Sequence, residues 1–490
     1  MSGTPGKPEH LGDLPAAEVR AALHRAADHI ADYLDTVGRY PVVPPIAPGD
    51  VAAALPASPP AGPEPLDRVL DDYERLIEPN VTHWNHPGFL AYFGITGSGP
   101  GIVAEALAAS LNVNAMLWRS SPAATELEET VCDWLRQMMD LPAGFRGHIN
   151  DTASTSSLVA LAAARHSLPV DVRVRGLSGR PEVPPLVVYA SDQAHSSIDK
   201  AAIVLGVGQE NVRRIASDAA FRLSLPALAA AVAADRAAGR LPMAVVATVG
   251  TTSTTSIDPV PEIADLCARE GIWLHVDAAY AGAAAICPEL RALMPGIGRA
   301  DSLVVNPHKW LFTPVDCSVL YVRDPALLRA AFSLVPEYLR TDEGATNLMD
   351  LGFQLGRRFR SLKLWMVIRS FGVQGLQDRI RQQCDLARGL AARIEAEPGF
   401  ELAAPVPFSA VCFRAHPAAP EAPPEERDRF NERLLAQVNA AGPFFLSPTL
   451  LHGRLTPRVA IGNLRTSGEH IDALWRLLRE TAASLRGETR

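Results

Sequence analysis

Three segments, MAVVATVG (243–250), IWLHVDAAY (272–280) and DSLVVNP (301–307), decide the fold. Each is a short, unbroken apolar run rich in β-branched residues. A strand with one wet face alternates polar and apolar side chains, whereas a strand covered on both faces does not. The runs therefore predict buried parallel strands. PLVVYA (185–190) has the same form, and SVLYVRD (318–324) reads as a further strand. Helical stretches such as SLPALAAAVAADRAAG (224–239) lie between such runs and complete βαβ units.

Outward from this centre the pattern changes. Residues 14–38 carry apolar positions three and four apart, the spacing of a helix. A Pro-rich stretch from Tyr40 to Asp67 follows, and proline's fixed φ and missing amide donor make it an extended connector. A helix ahead of such a connector is marginal alone and is expected to pack on something else, a second subunit included. Beyond the helical stretch SLKLWMVIRSFG, strands at 409–415 and 457–462 and helices at 424–440 and 468–485 form a small α+β unit. The expected fold class is α/β with a mostly parallel central sheet. The expected partition is an N-terminal helical segment with its connector (1–98), a large domain (99–370) and a small C-terminal α+β domain (371–490).

Composition narrows the function classes. The 490 residues are 48% hydrophobic and 20% charged, with a net charge of −8. That is too apolar for disorder, and it offers no basic surface for nucleic acid or an anionic membrane. No apolar run is long enough to span a bilayer, and the first residues do not read as a secretory signal. The six cysteines are scattered without a CxxC, and the histidines form no HExxH, so neither a disulfide framework nor a metal site is expected. This fits reduced thiols in the cytoplasm. Aromatic residues are sparse, with 7 Trp, 8 Tyr and 15 Phe.

In an open α/β sheet, ligands bind beyond the carboxyl ends of the strands. Asp277 ends IWLHVD, where a carboxylate can cap a helix, bind a metal or pair with a cationic ring nitrogen. Lys309 follows DSLVV within NPHKW. It is either a solvated charge or, beside Pro307, His308 and Trp310, a desolvated amine able to form a Schiff base. His195 follows PLVVYA and is either a structural histidine or a flat side chain for a ring face. Thr152, Ser154, Thr155, Ser156 and Ser157 stand at the mouth of an expected helix, as an ordinary cap or as a phosphate cup. TVGTTSTTSID (248–258) is a second hydroxyl-rich loop with the same two readings. Together these groups meet the needs of one cofactor, pyridoxal 5′-phosphate, whose protonated ring is an electron sink.

The chain resembles the group II pyridoxal-phosphate-dependent amino-acid decarboxylases, close to the aromatic L-amino-acid decarboxylases. The motifs carrying the resemblance are VTHWNHPGFLAYF, SPAATELE, SDQAHSS, GIWLHVDAAYAG, NPHKWLF, DCS and LGRRFRSLKLW, in family order from about residue 14 to 485. The resemblance implies fold type I, aminotransferase-like, and a homodimer with N-terminal helices wrapped over the partner and active sites at the subunit interface. It assigns Lys309 to the cofactor imine, Asp277 to the pyridine nitrogen, and Ala279 and His195 to the two ring faces. It assigns Ala153, Ser154 and Asn306 to the phosphate, with Thr152 adjacent, Thr252 near the cofactor and His308 beside the lysine. Tyr338 matches a mobile-loop tyrosine that returns a proton to the substrate carbon after carbon dioxide leaves.

The substrate pocket departs further from the family. Trp84, Tyr92 and Phe93 match it, and with Phe89 they place four of the sparse aromatics within ten residues. Gly94 replaces a common proline, and Val315 a common phenylalanine. Asn114 and Met116 stand where an apolar residue and a phenylalanine are usual. Gly356 matches a position where glycine tends to admit an indole and serine a phenol; a glycine required only for close backbone approach is the other reading. The expected activity is decarboxylation of an aromatic L-amino acid to an arylalkylamine and carbon dioxide. The alternatives are a different L-amino acid and oxidative deamination to an aldehyde.

Overall fold

The structure is a computed structural model that describes residues 12–334, 345–419 and 421–488. Its centre is a seven-stranded sheet of β1 (Arg146–Asn150), β2 (Leu186–Ser191), β3 (Val212–Ile215), β4 (Leu241–Thr248), β5 (Trp273–Asp277), β6 (Ser302–Val305) and β7 (Ser318–Val322). The spatial order is β1-β7-β6-β5-β4-β2-β3. Pairs β2–β3, β2–β4, β4–β5 and β5–β6 are parallel, and β7 is antiparallel to both β6 and β1. β7 alone runs against the rest, so the carboxyl ends of β1, β2, β4, β5 and β6 share one edge of the sheet.

The continuous apolar runs have their physical cause in burial on both faces. Every residue of β2, β5, β6 and β7 is buried. Alternate side chains feed two different cores. Val245 and Ala247 of β4 join a cluster with Ile263 and Leu266 of the helix Val260–Glu270. Ala244 and Val246 join another with Ala160 and Leu161 of the helix Ala153–His166.

The edge strands β1 and β3 escape sequence reading. β1 (RGHIN) and β3 (VRRI) are short and polar: β1 buries His148 and Asn150 beside Ile149, β3 buries only Val212 and Ile215, and neither leaves an unbroken apolar run. Arg213 of β3 pairs with Asp235 at 2.9 Å.

The small C-terminal sheet is antiparallel, in the order β10-β11-β9-β8, with β8 Phe400–Leu402, β9 Ala410–Ala415, β10 Ser447–Leu451 and β11 Arg454–Ala460. Helices Pro424–Ala440 and Gly468–Glu488 cover it. The helix Ser361–Ala396 joins the two sheets and breaks at Gly372, whose φ of 66° and ψ of 170° are non-helical. The expected boundary at 370/371 falls beside that break.

One expectation needs correction: the connector is not extended throughout, because Asp50–Ala54 forms a short helix within it. One face of the N-terminal helix Ala16–Thr36 docks on its own chain. Arg25 meets Asp71 and Glu74 at 2.7 Å each, His29 meets Glu78 at 2.6 Å, and the Tyr33 hydroxyl meets His83 at 2.9 Å. Leu23 and Ile30 remain exposed. Residues 84–91, placed in the N-terminal segment by sequence, are stitched to the C-terminal unit. Leu90 N–H donates to Phe445 O at 3.0 Å, Ala460 N–H donates to Leu90 O at 2.8 Å, and the Asn463 amide donates to Trp84 O and His86 O at 3.0 and 2.9 Å.

Candidate active site

Two backbone hydrogen bonds bring the lysine and the aspartate onto one wall. β5 ends at Asp277 and β6 at Val305, and Ala278 N–H donates to Val304 O at 3.1 Å while Asn306 N–H donates to Ala279 O at 3.0 Å. The chain then turns into the single-turn helix Pro307–Trp310, with Asn306 as its N-cap. The loops after adjacent strands are thereby laced together, and both frame a cavity of about 390 Å³.

Thirteen of the residues singled out by sequence line this cavity: Trp84, Tyr92, Phe93, Thr152, Ala153, Ser154, His195, Thr252, Asp277, Ala279, Asn306, His308 and Lys309. Tyr338 lies outside the described residues. Asn114, Met116 and Gly356 line no part of it. They form a separate cluster, with Asn114 Oδ1 accepting from Arg357 N–H at 2.9 Å, Asn114 Nδ2 3.4 Å from Met116 Sδ, and Gly356 beside Asn114. Within one chain they are not brought together with Lys309 and Asp277. The pocket departure at Gly94 has a local cause: a Cβ there would stand 3.1 Å from the Gly462 carbonyl carbon.

Lys309 projects against an aromatic wall. Its Nζ lies 5.3 Å from the centroid of Phe93, which stacks on Tyr280 at 3.8 Å, and Tyr280 stacks on Trp310 at 4.5 Å. Burial lowers the lysine's pKa, the Asp277 carboxylate raises it in opposition, and the Arg458 guanidinium lowers it again. Burial wins, so more of the amine is neutral and nucleophilic than in water. Asp277 is buried and accepts a hydrogen bond from Ala279 N–H at 3.1 Å, which holds its carboxylate in place.

His195 faces the cavity with a defined tautomer. Its Nδ1 accepts from Ser197 N–H at 3.1 Å, which leaves the proton of the neutral ring on Nε2. Burial, and more weakly the charge of Lys309, keep this imidazole below its ordinary pKa against the pull of Asp277. Opposite, the 14-residue helix Ala153–His166 begins at the cavity with Thr152 as N-cap, and Thr152 makes no side-chain cap. The first-turn amides of a helix lack internal partners and attract an anion.

Sequence reading missed Arg458, Tyr280 and Thr449, which also line the cavity, as does Ser253 of the hydroxyl-rich loop 248–258. Arg458 is almost fully buried on β11. Its Nε donates to Ser253 O at 2.8 Å and its Nη1 to Tyr92 O. A charge inside the apolar run PRVAIG was the available signal. Ser253 Oγ meets Thr449 Oγ1 at 2.7 Å and so ties the large domain to the small one.

The donor set fits a phosphorylated ring aldehyde. Lys309 is the amine, Asp277 the carboxylate, and the helix start the anion site. Three cavity residues hold a buried side-chain atom without a hydrogen-bond partner: Asn306 Oδ1, Thr248 Oγ1 and Arg458 Nη2. Groups so placed are costly unless a ligand meets them. Fold and site together define a fold type I enzyme that carries pyridoxal 5′-phosphate on a lysine.

The pyridoxal-dependent decarboxylase conserved domain matches residues 48–416. Tryptophan decarboxylase 2 of Oryza sativa subsp. japonica is 39% identical over 500 residues, covering 100% of this chain and 99% of the relative. Phenylacetaldehyde synthase of Arabidopsis thaliana is 40% identical over 492 residues, covering 98% and 99%. The crystal structure of Oryza sativa TDC with PLP and tryptamine superposes with a TM-score of 0.93 at 38% identity, covering 97% of this chain and all of that one. The chain belongs to the pyridoxal-dependent decarboxylase family: it is a lyase whose cofactor is pyridoxal 5′-phosphate.

Proposed function

We propose that the substrate is an aromatic L-amino acid, decarboxylated to its arylalkylamine and carbon dioxide. One observation carries this reading: the wall of Trp84, Tyr92 and Phe93 stands in the same cavity as Lys309 and Asp277. Trp84 and Tyr92 lie nearly parallel, with centroids 6.0 Å apart, and present flat apolar surface to a ring.

When bound, the cofactor's protonated ring supplies a sink for the electron pair left at Cα as carbon dioxide departs. The residues supply everything else. Lys309 provides the amine that holds the aldehyde. Asp277 would keep the ring nitrogen protonated, His195 and Ala279 would hold the ring, and the amides at Ala153 and Ser154 would hold the phosphate with Asn306. Arg458, a buried cation with a free N–H, takes the substrate carboxylate and orients the bond to be broken. The proton returned to Cα is assigned to Tyr338 on the resemblance alone.

We also infer a homodimer with shared sites. Tyr92 is 55% exposed at the mouth of the cavity, and Val103, Leu107, Leu111, Phe353 and Leu355 are exposed near the Asn114–Gly356 cluster in sequence. A second copy seated there brings Asn114, Met116 and Gly356 to its partner's cavity. Sedimentation, and activity recovered on mixing Lys309→Ala with an Asn114 or Gly356 variant, test this. The six buried, unpaired cysteines support a cytoplasmic location, which cell fractionation tests.

Tryptophan, tyrosine, phenylalanine and a set of acidic and aliphatic amino acids, assayed in parallel for carbon dioxide, aldehyde and peroxide, test the reaction. Carbon dioxide and amine in equal amounts from an aromatic substrate support the reading. Aldehyde with peroxide selects oxidative deamination, which the similarity to phenylacetaldehyde synthase favours. Turnover of aliphatic or acidic substrates alone overturns the aromatic assignment.

A further inference from the structure

His308 is 4% exposed within the helix Pro307–Trp310, and its two ring nitrogens meet different partners. Nδ1 lies 2.9 Å from the backbone N–H of Cys317. An amide N–H only donates, so Nδ1 carries a lone pair and the proton of the neutral ring sits on Nε2. Nε2 lies 3.2 Å from the carboxamide of Asn306.

With the Asn306 nitrogen toward the ring, two donors face each other, and Oδ1 at the other end is buried without a partner. A half-turn of the carboxamide leaves its shape unchanged, removes the clash of donors and puts a donor, in place of an oxygen, at the partnerless end. Nε2–H then donates to the oxygen, and the NH₂ takes the partnerless position. Asn306 is 2% exposed and lines the cavity along with Thr152, Ala153 and Ser154 at the helix start.

We propose that His308 is a positioning residue: held as its Nε2–H tautomer by Cys317, it turns the Asn306 carboxamide so that the NH₂ faces an anion in the cavity, the cofactor's phosphate. This rests on pyridoxal 5′-phosphate being the occupant. The tautomer decides the sign of Asn306's contribution, since a carboxamide oxygen in that place would repel the phosphate. The ring stays neutral because burial, followed by the charge of Lys309, pushes its pKa down to about 3.

The test is titration of the apoprotein with pyridoxal 5′-phosphate and with pyridoxal, followed by tryptophan fluorescence. Asn306→Asp puts an oxygen where the NH₂ is inferred. It should weaken pyridoxal 5′-phosphate by about 100-fold and pyridoxal by less than about threefold. His308→Gln keeps a donor near Nε2 and should stay within about threefold of the parent, whereas His308→Asn keeps only the Nδ1 side and should lose about tenfold, again for the phosphorylated ligand alone. Equal losses for both ligands, or His308→Asn matching His308→Gln, overturn the inference. Should the His308 variants not fold, an Asn306→Asp protein that binds both ligands like the parent overturns it by itself. A parent that binds no pyridoxal 5′-phosphate overturns the cofactor reading and this inference together.

Discussion

The guanidinium of Arg458 lies 4.5 Å from the centroid of the Phe93 ring. Lys309 approaches the same ring at 5.3 Å, so two cations share one aromatic side chain inside a cavity that, among the described residues, has Asp277 as its one lining carboxylate. Ring quadrupoles attract cations, but weakly beside an ion pair. The cavity therefore carries a positive excess that a substrate carboxylate and a cofactor phosphate would neutralise.

Arg458 supplies the first expectation. Its Nη2 is buried without a partner, and burial lowers its pKa, so its charge is held at a cost until an anion arrives. Arg458→Gln should reduce kcat/KM by about 100-fold, equivalent to about 2.7 kcal/mol, mostly through KM. The lysine-bound cofactor's absorbance should be unchanged. Steady-state kinetics with a spectrum of the resting enzyme check both parts.

The second concerns pH. Burial lowers the pKa of Lys309, and Asp277 opposes the shift. The rate at which apoprotein captures pyridoxal 5′-phosphate should rise with pH about a midpoint below the ordinary lysine value. Removing the carboxylate removes the opposing influence, so Asp277→Asn should move the midpoint lower still. Stopped-flow capture across the pH range reads the two midpoints; a higher midpoint in Asp277→Asn would contradict this account.

Gly356 bears on specificity. Among the described residues a Cβ there meets Asn114 Nδ2 alone, at 3.9 Å, so Gly356→Ser should fold with an unchanged melting temperature. With Gly356 at the partner's cavity in the inferred dimer, the ratio of kcat/KM for tryptophan over tyrosine should fall by about tenfold, about 1.4 kcal/mol, as volume there is exchanged for a hydroxyl. A ratio that does not move would return Gly356 to a backbone role.

Stability is tested at Arg357 and Glu128. Their side chains are buried and 2.6 Å apart, and Glu128 also accepts Ile149 N–H at 2.8 Å while Arg357 donates to Ile149 O at 2.6 Å. The pair clamps β1 to the segment carrying Gly356. Arg357→Leu leaves a buried carboxylate uncompensated and should cost about 3–5 kcal/mol, whereas Glu128→Leu with Arg357→Leu should cost less than either change alone. Thermal unfolding of the apoproteins measures the difference.

Much of this protein is legible along the chain because its cause is local. Strands covered on both faces must be apolar throughout, so β2, β4, β5, β6 and β7 stand out in sequence. A parallel sheet presents its ligand at the strand ends, so Asp277, Lys309 and His195 are found by reading the end of each run, whereas Asn306 comes from the resemblance. Strands β1 and β3 were hidden because they are short and carry polar residues, buried His148 and Asn150 in β1 and Arg213 and Arg214 in β3, that break any apolar run. What only the tertiary structure decided is non-local. Arg458 enters the cavity because the small sheet closes over the loop at Ser253. Trp84, Tyr92 and Phe93 line the cavity because their segment is stitched to Phe445 and Ala460. Asn114, Met116 and Gly356 fall outside it because the Glu128–Arg357 pair anchors them elsewhere. Periodicity records which side of an element is buried; which distant element buries it depends on packing across the whole chain.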